Sequence, residues 1–175
     1  MALLAGGLLE NVYASLDAYL QETLLDSTGV PLAIRLHGVR RFVPPIDDPW
    51  IEIHYDFLGV QSQFQRYTDK QNGVTVHSVD RRGYLQLNIY QRARVFRTRY
   101  TTAHARDLVV TALPEGHIIP IRDYAHMVPD VTPDEVGLLV IDGLNESVND
   151  TGQDSGITQH MVQCSTRYLE PYTRP

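Results

Sequence analysis

Three polar side chains on one predicted strand are the first candidates for chemistry. The run 50–57 alternates apolar and polar residues, so Glu52, His54 and Asp56 are predicted to point from the same face. Two carboxylates and an imidazole at this spacing could bind a divalent cation or transfer protons. However, the sequence places no second cluster of ligands beside them, and outward polar residues are ordinary on an exposed strand. We expect a solvated or interface face here, with a small metal-dependent enzyme as the less favoured alternative.

A series of arginines is the second candidate site. It has no acid among its members, and it consists of Arg92, Arg94, Arg97 and Arg99, with Arg81 and Arg82 behind them. Guanidinium groups can bind phosphates in a forked geometry, so nucleic acid is one possible partner. The chain as a whole has a net charge of −6, unlike most free-standing DNA-binding proteins. We expect the arginines to contact other subunits or partner proteins first, with passing DNA as a secondary, non-specific contact.

Charge is distributed unevenly along the chain. Residues 1–106 contain 12 basic and 10 acidic side chains, a net +2, whereas residues 107–175 contain 3 basic and 11 acidic ones, a net −8. Such asymmetry suits head-to-tail contact between copies or stacked partners, and it also suits a solvated acidic tail. Both interpretations stay open from the sequence.

Motifs of the common enzyme classes are missing from the sequence. It has no Gly-x-Ser-x-Gly elbow, no Gly-Lys-Ser/Thr phosphate loop and no paired histidines at zinc-binding spacing. The single cysteine, Cys164, lies within an apolar alternation and is predicted to be a buried, inert thiol. We therefore expect no enzyme activity, no bound metal and no cofactor. No apolar run reaches the ~20 residues of a membrane helix, so no membrane partner is expected.

The elements that would position these residues are two helices and several strands. Apolar residues at three- and four-residue steps predict helices over 8–25 and 100–112. Alternation predicts strands over 30–36, 50–57, 116–122, 136–141 and 157–168, and a polar loop over 142–156. Trp50 is predicted to point outward at the head of its strand. Before it, prolines make an extended connector whose marked residues are Phe42, Pro44 and Pro45.

A long hairpin is predicted from strand 50–57 onward. Its arms would run over 50–67 and 74–90, with a tight turn between them and a bulge at 81–83, where the alternation breaks. The polar residues assigned to its projecting half are Gln63, Gln65, Asn72 and Gly73. Together these elements predict a single α+β domain over 1–175. An N-terminal helix and a second helix pack on a mostly antiparallel sheet with a long projecting β-hairpin, and 123–156 is an extra loop or hairpin region.

Two motifs connect this pattern to a known family. One is Phe42-Val-Pro-Pro45 before an aromatic-led strand at Trp50, and the other is Gly83-Tyr-Leu-Gln-Leu87 leading to a helix. With the order of helices and strands, they resemble the tail terminator (tail completion) proteins of long-tailed bacteriophages over about residues 8–125 and the last strand. The chain departs from the family after Tyr90, where it is rich in arginine and the family commonly has proline and glycine.

The resemblance implies a structural virion protein without catalytic activity, located at the junction of tail and neck and assembled in the host cytoplasm. It implies a six-membered ring that caps the completed tail tube and stops its polymerisation. One face of the ring would contact the tail tube protein and the other the head–tail connector proteins, with DNA passing through the opening. A head–tail connector or neck protein is the alternative within the same class.

Overall fold

Both helices follow from the spacing of their apolar residues. In the first, Val12, Leu16 and Leu20 recur every four residues, and all three are fully buried. In the second, Ala105 and Val109 are buried at the same spacing, and the helix ends just before Leu113 and Pro114. The predicted helices are therefore confirmed, with bounds that differ by at most two residues from those expected.

The computed structural model describes residues 2–3, 9–26, 28–36, 38–45, 48–56, 66–71, 74–92, 98–149 and 156–173. Its helices are α1 (Leu9–Thr23) and α2 (Thr98–Ala112). Its strands are β1 (Ala2–Leu3), β2 (Ala33–Arg35), β3 (Trp50–Asp56), β4 (Arg66–Gln71), β5 (Val74–Arg92), β6 (Ile118–Arg122), β7 (Glu135–Asn149) and β8 (Ile157–Thr173).

These strands form one mixed sheet. Its order is β2-β3-β5-β8-β7-β6, while β4 pairs with β5 and β1 pairs with β8. All pairs are antiparallel except β2 with β3, which run parallel. The predicted α+β class, with two helices on a mostly antiparallel sheet, is confirmed.

The core lies between the helices and one face of the sheet. Ile53 pairs with Leu87 and Leu87 with Val162, so apolar side chains from three strands stand in register on that face. All three are at most 1% exposed. Tyr55 joins this layer and donates a short hydrogen bond from its hydroxyl to the Asp17 carboxylate of α1. Side-chain alternation thus separates a buried face from an open one, as a half-covered sheet requires.

The predicted hairpin is formed by β4 and β5. Gln71 and Val74 are register partners with two residues between them, which fits the two-residue turn expected there. Gln63, Gln65, Asn72 and Gly73 lie outside the described residues. The bulge predicted at 81–83 was wrong, because β5 pairs with β8 without a register shift from Val76 to Arg92.

The loop predicted over 142–156 was also wrong for its first half. β7 continues to Asn149, and its register against β8 shifts between Ile141 and Gly143, which places the bulge in β7. The polar composition of 142–149 suggested a loop because these residues are half open to solvent, yet β8 supplies a full partner strand. Glu146, for example, lies on the helix side of the sheet and binds Arg106 of α2.

Candidate assembly surfaces

The predicted arginine series is divided by the geometry of β5. Arg82 and Arg92 are ten residues apart on one unbroken strand, which corresponds to roughly 33 Å. Arg82 lies near Asp80, at 3.9 Å, with its side chain 46% exposed. Arg81 is half-buried on the helix side, paired in register with the buried Tyr168. Among the described arginines of the series, Arg82 and Arg92 therefore do not share one continuous patch.

Arg92 lies at the other end of β5, exposed at the last residue of that strand. Arg94 and Arg97 lie outside the described residues, and Arg99 belongs to the first turn of α2 with no described side-chain position. The interface predicted from the whole series stays a prediction.

The β4–β5 hairpin extends the sheet beyond its core. β4 pairs with residues 74–79 of β5, whereas β3 pairs with residues 84–90 on the same side of that strand. The end of β8 lies along the other side of β5, and β1 adds the fourth strand there. We call this four-stranded extension the arm. From Val74 to Val79, where β4 pairs with it, β5 spans about 17 Å.

The open face of the sheet carries a network of amides that the sequence did not reveal. Asn88 is only 3% exposed although no helix covers this face, because its Oδ1 accepts hydrogen bonds from Gln86 (3.0 Å) and Gln159 (3.2 Å). Trp50 stacks on Tyr90, with ring centroids 5.5 Å apart. Trp50 does lie on the predicted side of β3. The prediction that it faces solvent was wrong, because Tyr90 covers the ring, which is 5% exposed.

Glu52, His54 and Asp56 do share the open face of β3, as predicted, but Glu52 has another role. Its carboxylate forms an ion pair with Arg35 of β2 at 3.3 Å. Arg35, Arg40, Glu52 and His54 line a shallow cleft of about 360 Å³ at this edge of the sheet. Within the described ranges, no group of three or more His, Cys, Asp or Glu side chains is arranged to hold a metal ion.

The proline connector lies against the body of the protein. Phe42, Pro44 and Pro45 are half-buried, and residues 41–45 form neither helix nor strand. A cavity of about 270 Å³ lies between the connector and α2 and is lined by Pro45 and Pro49 on one side and His104 on the other. Trp50 then begins β3, so the motif fixes where that strand enters the sheet.

The loop between β6 and β7 is hydrogen-bonded to α1. The fully buried Asn11 donates from Nδ2 to Asp123 Oδ1 (3.0 Å), and its Oδ1 accepts from the Ala125 N–H (2.8 Å). The Asp123 carboxylate also lies 3.0 Å from His126 Nδ1. Burial opposes the charge on Asp123, yet the hydrogen bonds from His126 and Asn11 outweigh it and lower the pKa of this carboxyl below its ordinary value. We call residues 123–135 the acidic loop.

Cys164 is the remaining candidate for reactivity. Its side chain is fully buried in the core, and burial raises the pKa of the thiol to about 12. A thiol with this pKa remains protonated at neutral pH, and the thiolate is the nucleophilic form. Its burial agrees with the prediction of a packed residue on the core side of β8.

The chain matches no protein-family model and no curated protein. The resemblance to tail terminators therefore rests on its motifs and its order of elements. Neither α1 nor α2, nor any other described helical stretch, combines the length and apolar character of a membrane-crossing helix. What the described geometry offers is a set of surfaces: the arm, the open face and the two ends of the sheet.

Proposed function

We propose that this protein is a structural virion component that forms a ring on the end of a bacteriophage tail tube, stops its growth and presents a docking surface to the head. The observation that carries the proposal is the arm. It is a backbone-paired extension of the sheet, about 17 Å long where β4 pairs with Val74–Val79, and it occurs in the predicted order of elements: helix, strand, proline connector, long hairpin, helix, strands.

The arm is suited to contact between proteins because its central strand is paired on both sides. The partners are β4 and β8, so the strand projects as part of the sheet. A preorganised surface loses little conformational entropy on binding, which favours repeated, identical contacts around a ring. In this proposal the arm reaches the last ring of the tail tube or the adjacent subunit.

One open sheet edge supports the same proposal. The described part of β2 covers only Trp50–Glu52 of β3, and no described strand pairs with the outer side of Ile53–Asp56. β6 forms the opposite edge, which is protected because Pro120 lacks the N–H that a further antiparallel partner would need. The outer side of β3 is therefore the edge available for pairing with another chain.

The test is a tail-completion assay. Tail tubes are polymerised in vitro from their tube protein with and without this chain, and their lengths are measured by negative-stain electron microscopy. We expect capped tubes of limited length with a ring of extra density at one end, and native mass spectrometry should detect six copies per ring. Binding to the head's connector proteins with no effect on tube length would favour the neck-protein alternative. The absence of both effects would contradict the proposal.

A variant with a shortened arm tests directly whether the arm contacts the tail tube. Lys70 pairs with Thr75, and Gln71 pairs with Val74. Deleting these four residues removes two register pairs, keeps the turn and keeps every remaining side chain on its face, since strands alternate with period two. We expect this variant to form rings with the same number of subunits as the wild type and to cap tail tubes poorly. If this variant caps as well as the wild type, the arm does not contact the tube.

A further inference from the structure

The acidic loop carries an exposed apolar tip. Met127, Val128 and Val131 are 56%, 60% and 58% exposed. Asp130, Asp134 and Glu135 around them are exposed, and none of these three forms an ion pair with another described residue. Single exposed apolar residues are common on protein surfaces, but three on one loop, ringed by acids, are characteristic of a contact surface.

The base of this loop is fixed, so its tip is held in place before any partner binds. Asn11 supplies two hydrogen bonds to the loop, and the Ser15 hydroxyl accepts another from the Arg122 N–H at 2.9 Å. The Asp123 N–H donates to the Asp134 carbonyl at 2.9 Å and closes the loop at its neck. The entropy cost of binding through the tip is correspondingly small.

The opposite edge of the sheet carries the opposite charge. We call residues 28–45 the basic edge. This segment contains Arg35, Arg40 and Arg41 and no acid, whereas the acidic loop contains four acids and no lysine or arginine; the formal charges are +3 and −4. Arg40 and Arg41 are exposed and have no ion pair among the described residues. Val43 beside them is 91% exposed.

The two charged segments cannot meet within one chain. The acidic loop joins β6 to β7 at one end of the strand order, and the basic edge surrounds β2 at the other end. Five inter-strand spacings separate β2 from β6, a distance of roughly 24 Å across the sheet. Arg40 and Arg41 on one surface, and Asp130, Asp134 and Glu135 on the other, have no ion pair among the described residues. These two sets of charges complement each other on a second copy.

We infer that the acidic loop of one copy docks on the basic edge of the next copy. The loop tip would bind at the cleft of about 360 Å³ lined by Arg35, Val39 and Arg40, and Asp130, Asp134 and Glu135 would face Arg40 and Arg41. Because the two surfaces differ, the contact is heterologous and repeats from subunit to subunit, and in the proposed function this repeat closes into a ring. This inference rests on the proposed ring function and assigns its subunit interface.

Charge reversal on each surface provides the test. One variant carries Asp130→Arg and Glu135→Arg, which changes the formal charge of the acidic loop from −4 to 0 and leaves the basic edge at +3. The other carries Arg40→Glu and Arg41→Glu, which changes the basic edge from +3 to −1 and leaves the loop at −4. Each alone should lose assembly, with subunit affinity weakened at least ~100-fold, because the substituted side chains now face side chains of like charge. Mixed in equal amounts, the two variants should assemble again, since the substituted side chains of one variant then face the oppositely charged substituted side chains of the other.

The measurements are light scattering and native mass spectrometry at several concentrations, with circular dichroism to confirm that each variant is folded. The matched control carries Glu10→Arg and Glu22→Arg on the exposed side of α1, which changes the net charge by the same amount as the loop variant. The control should assemble like the wild type.

The possible results separate this inference from the proposed function. If the wild type forms rings and both reversed variants also form them, the interface assignment is overturned while the ring proposal stands. If rings form, depend on both surfaces and are restored by mixing, yet never cap tail tubes, the interface holds and the tail function fails. If the wild type is monomeric at every concentration and in the presence of tubes, both are overturned. Loss of assembly in each variant without recovery on mixing overturns the pairing of these two surfaces.

Discussion

Replacing Asn11 by alanine should destabilise the protein strongly, because this buried side chain anchors the acidic loop to α1. Asn11 is fully buried and makes two described hydrogen bonds to the acidic loop, one to the Asp123 carboxylate and one from the Ala125 N–H. A bond to a charged group contributes about 1.5–3 kcal/mol and a neutral one about 1 kcal/mol. The expected loss in the free energy of unfolding is therefore about 3 kcal/mol, or roughly 6–12 °C in Tm for a chain of this size.

Urea denaturation followed by circular dichroism measures this loss directly, provided that the dependence of the free energy on urea stays the same in the variant. The matched control is Asn145→Ala, which removes the same side chain from an exposed position on β7. The control should change the free energy of unfolding by no more than ~0.5 kcal/mol. Equal effects of the two substitutions would refute the argument that Asn11 anchors the loop.

The same variant should alter the stability at acid pH. The pKa of Asp123 is lowered in the folded protein relative to its ordinary value of 3.8. A lowered folded pKa gives stability that is fully present above the unfolded pKa and is lost as the pH falls through the folded pKa. Without Asn11, one of the hydrogen bonds that hold the charged form is gone. Titration of Asp123 by NMR should therefore give a higher pKa in Asn11→Ala than in the wild type.

Three further predictions concern the core and its contacts. Tyr55→Phe should cost about 1.5–3 kcal/mol in urea denaturation, because the charged Asp17 loses a hydrogen-bond donor, and a change below 0.5 kcal/mol would contradict this. Arg106→Ala and Glu146→Ala should each cost about 1 kcal/mol, and a double-mutant cycle should show that the losses are not additive, since the two side chains bind each other through two contacts. Cys164 should react with a thiol reagent only on unfolding. The free energy of unfolding should fall as the pH rises above ~9, because the unfolded thiol then ionises whereas the folded thiol, with its pKa of about 12, stays protonated.

Much of the fold was predictable because its signals are local. Alternation over 50–57 and 83–90 located β3 and the central part of β5, and four-residue spacing located α1. These patterns report which side of an element is buried, and a residue's own neighbours in sequence are enough to show it. The pairing of Gln71 with Val74 fits the two-residue turn predicted from Asn72-Gly73, two residues that tolerate positive φ.

The errors occurred where burial depended on a distant strand. Trp50 was assigned to solvent because its side of β3 is polar, yet Tyr90 on β5 covers the ring. The polar composition of 142–149 predicts a loop, yet β8 pairs with Gly143–Asn149. In both cases a tertiary partner overrode the local pattern, and no residue within the segment itself carried that information.

For the candidate surfaces too, the sequence and the tertiary structure supplied different information. The sequence alone determined the two charges, an arginine-containing segment before β3 and an acidic one after β6, because charge is a property of composition. Only the tertiary structure placed β2 and β6 at opposite edges of one sheet, since strand order depends on pairing between residues far apart in the chain. It also brought Asn11 beneath Asp123, 112 residues away, and so decided that the acidic loop is a fixed surface.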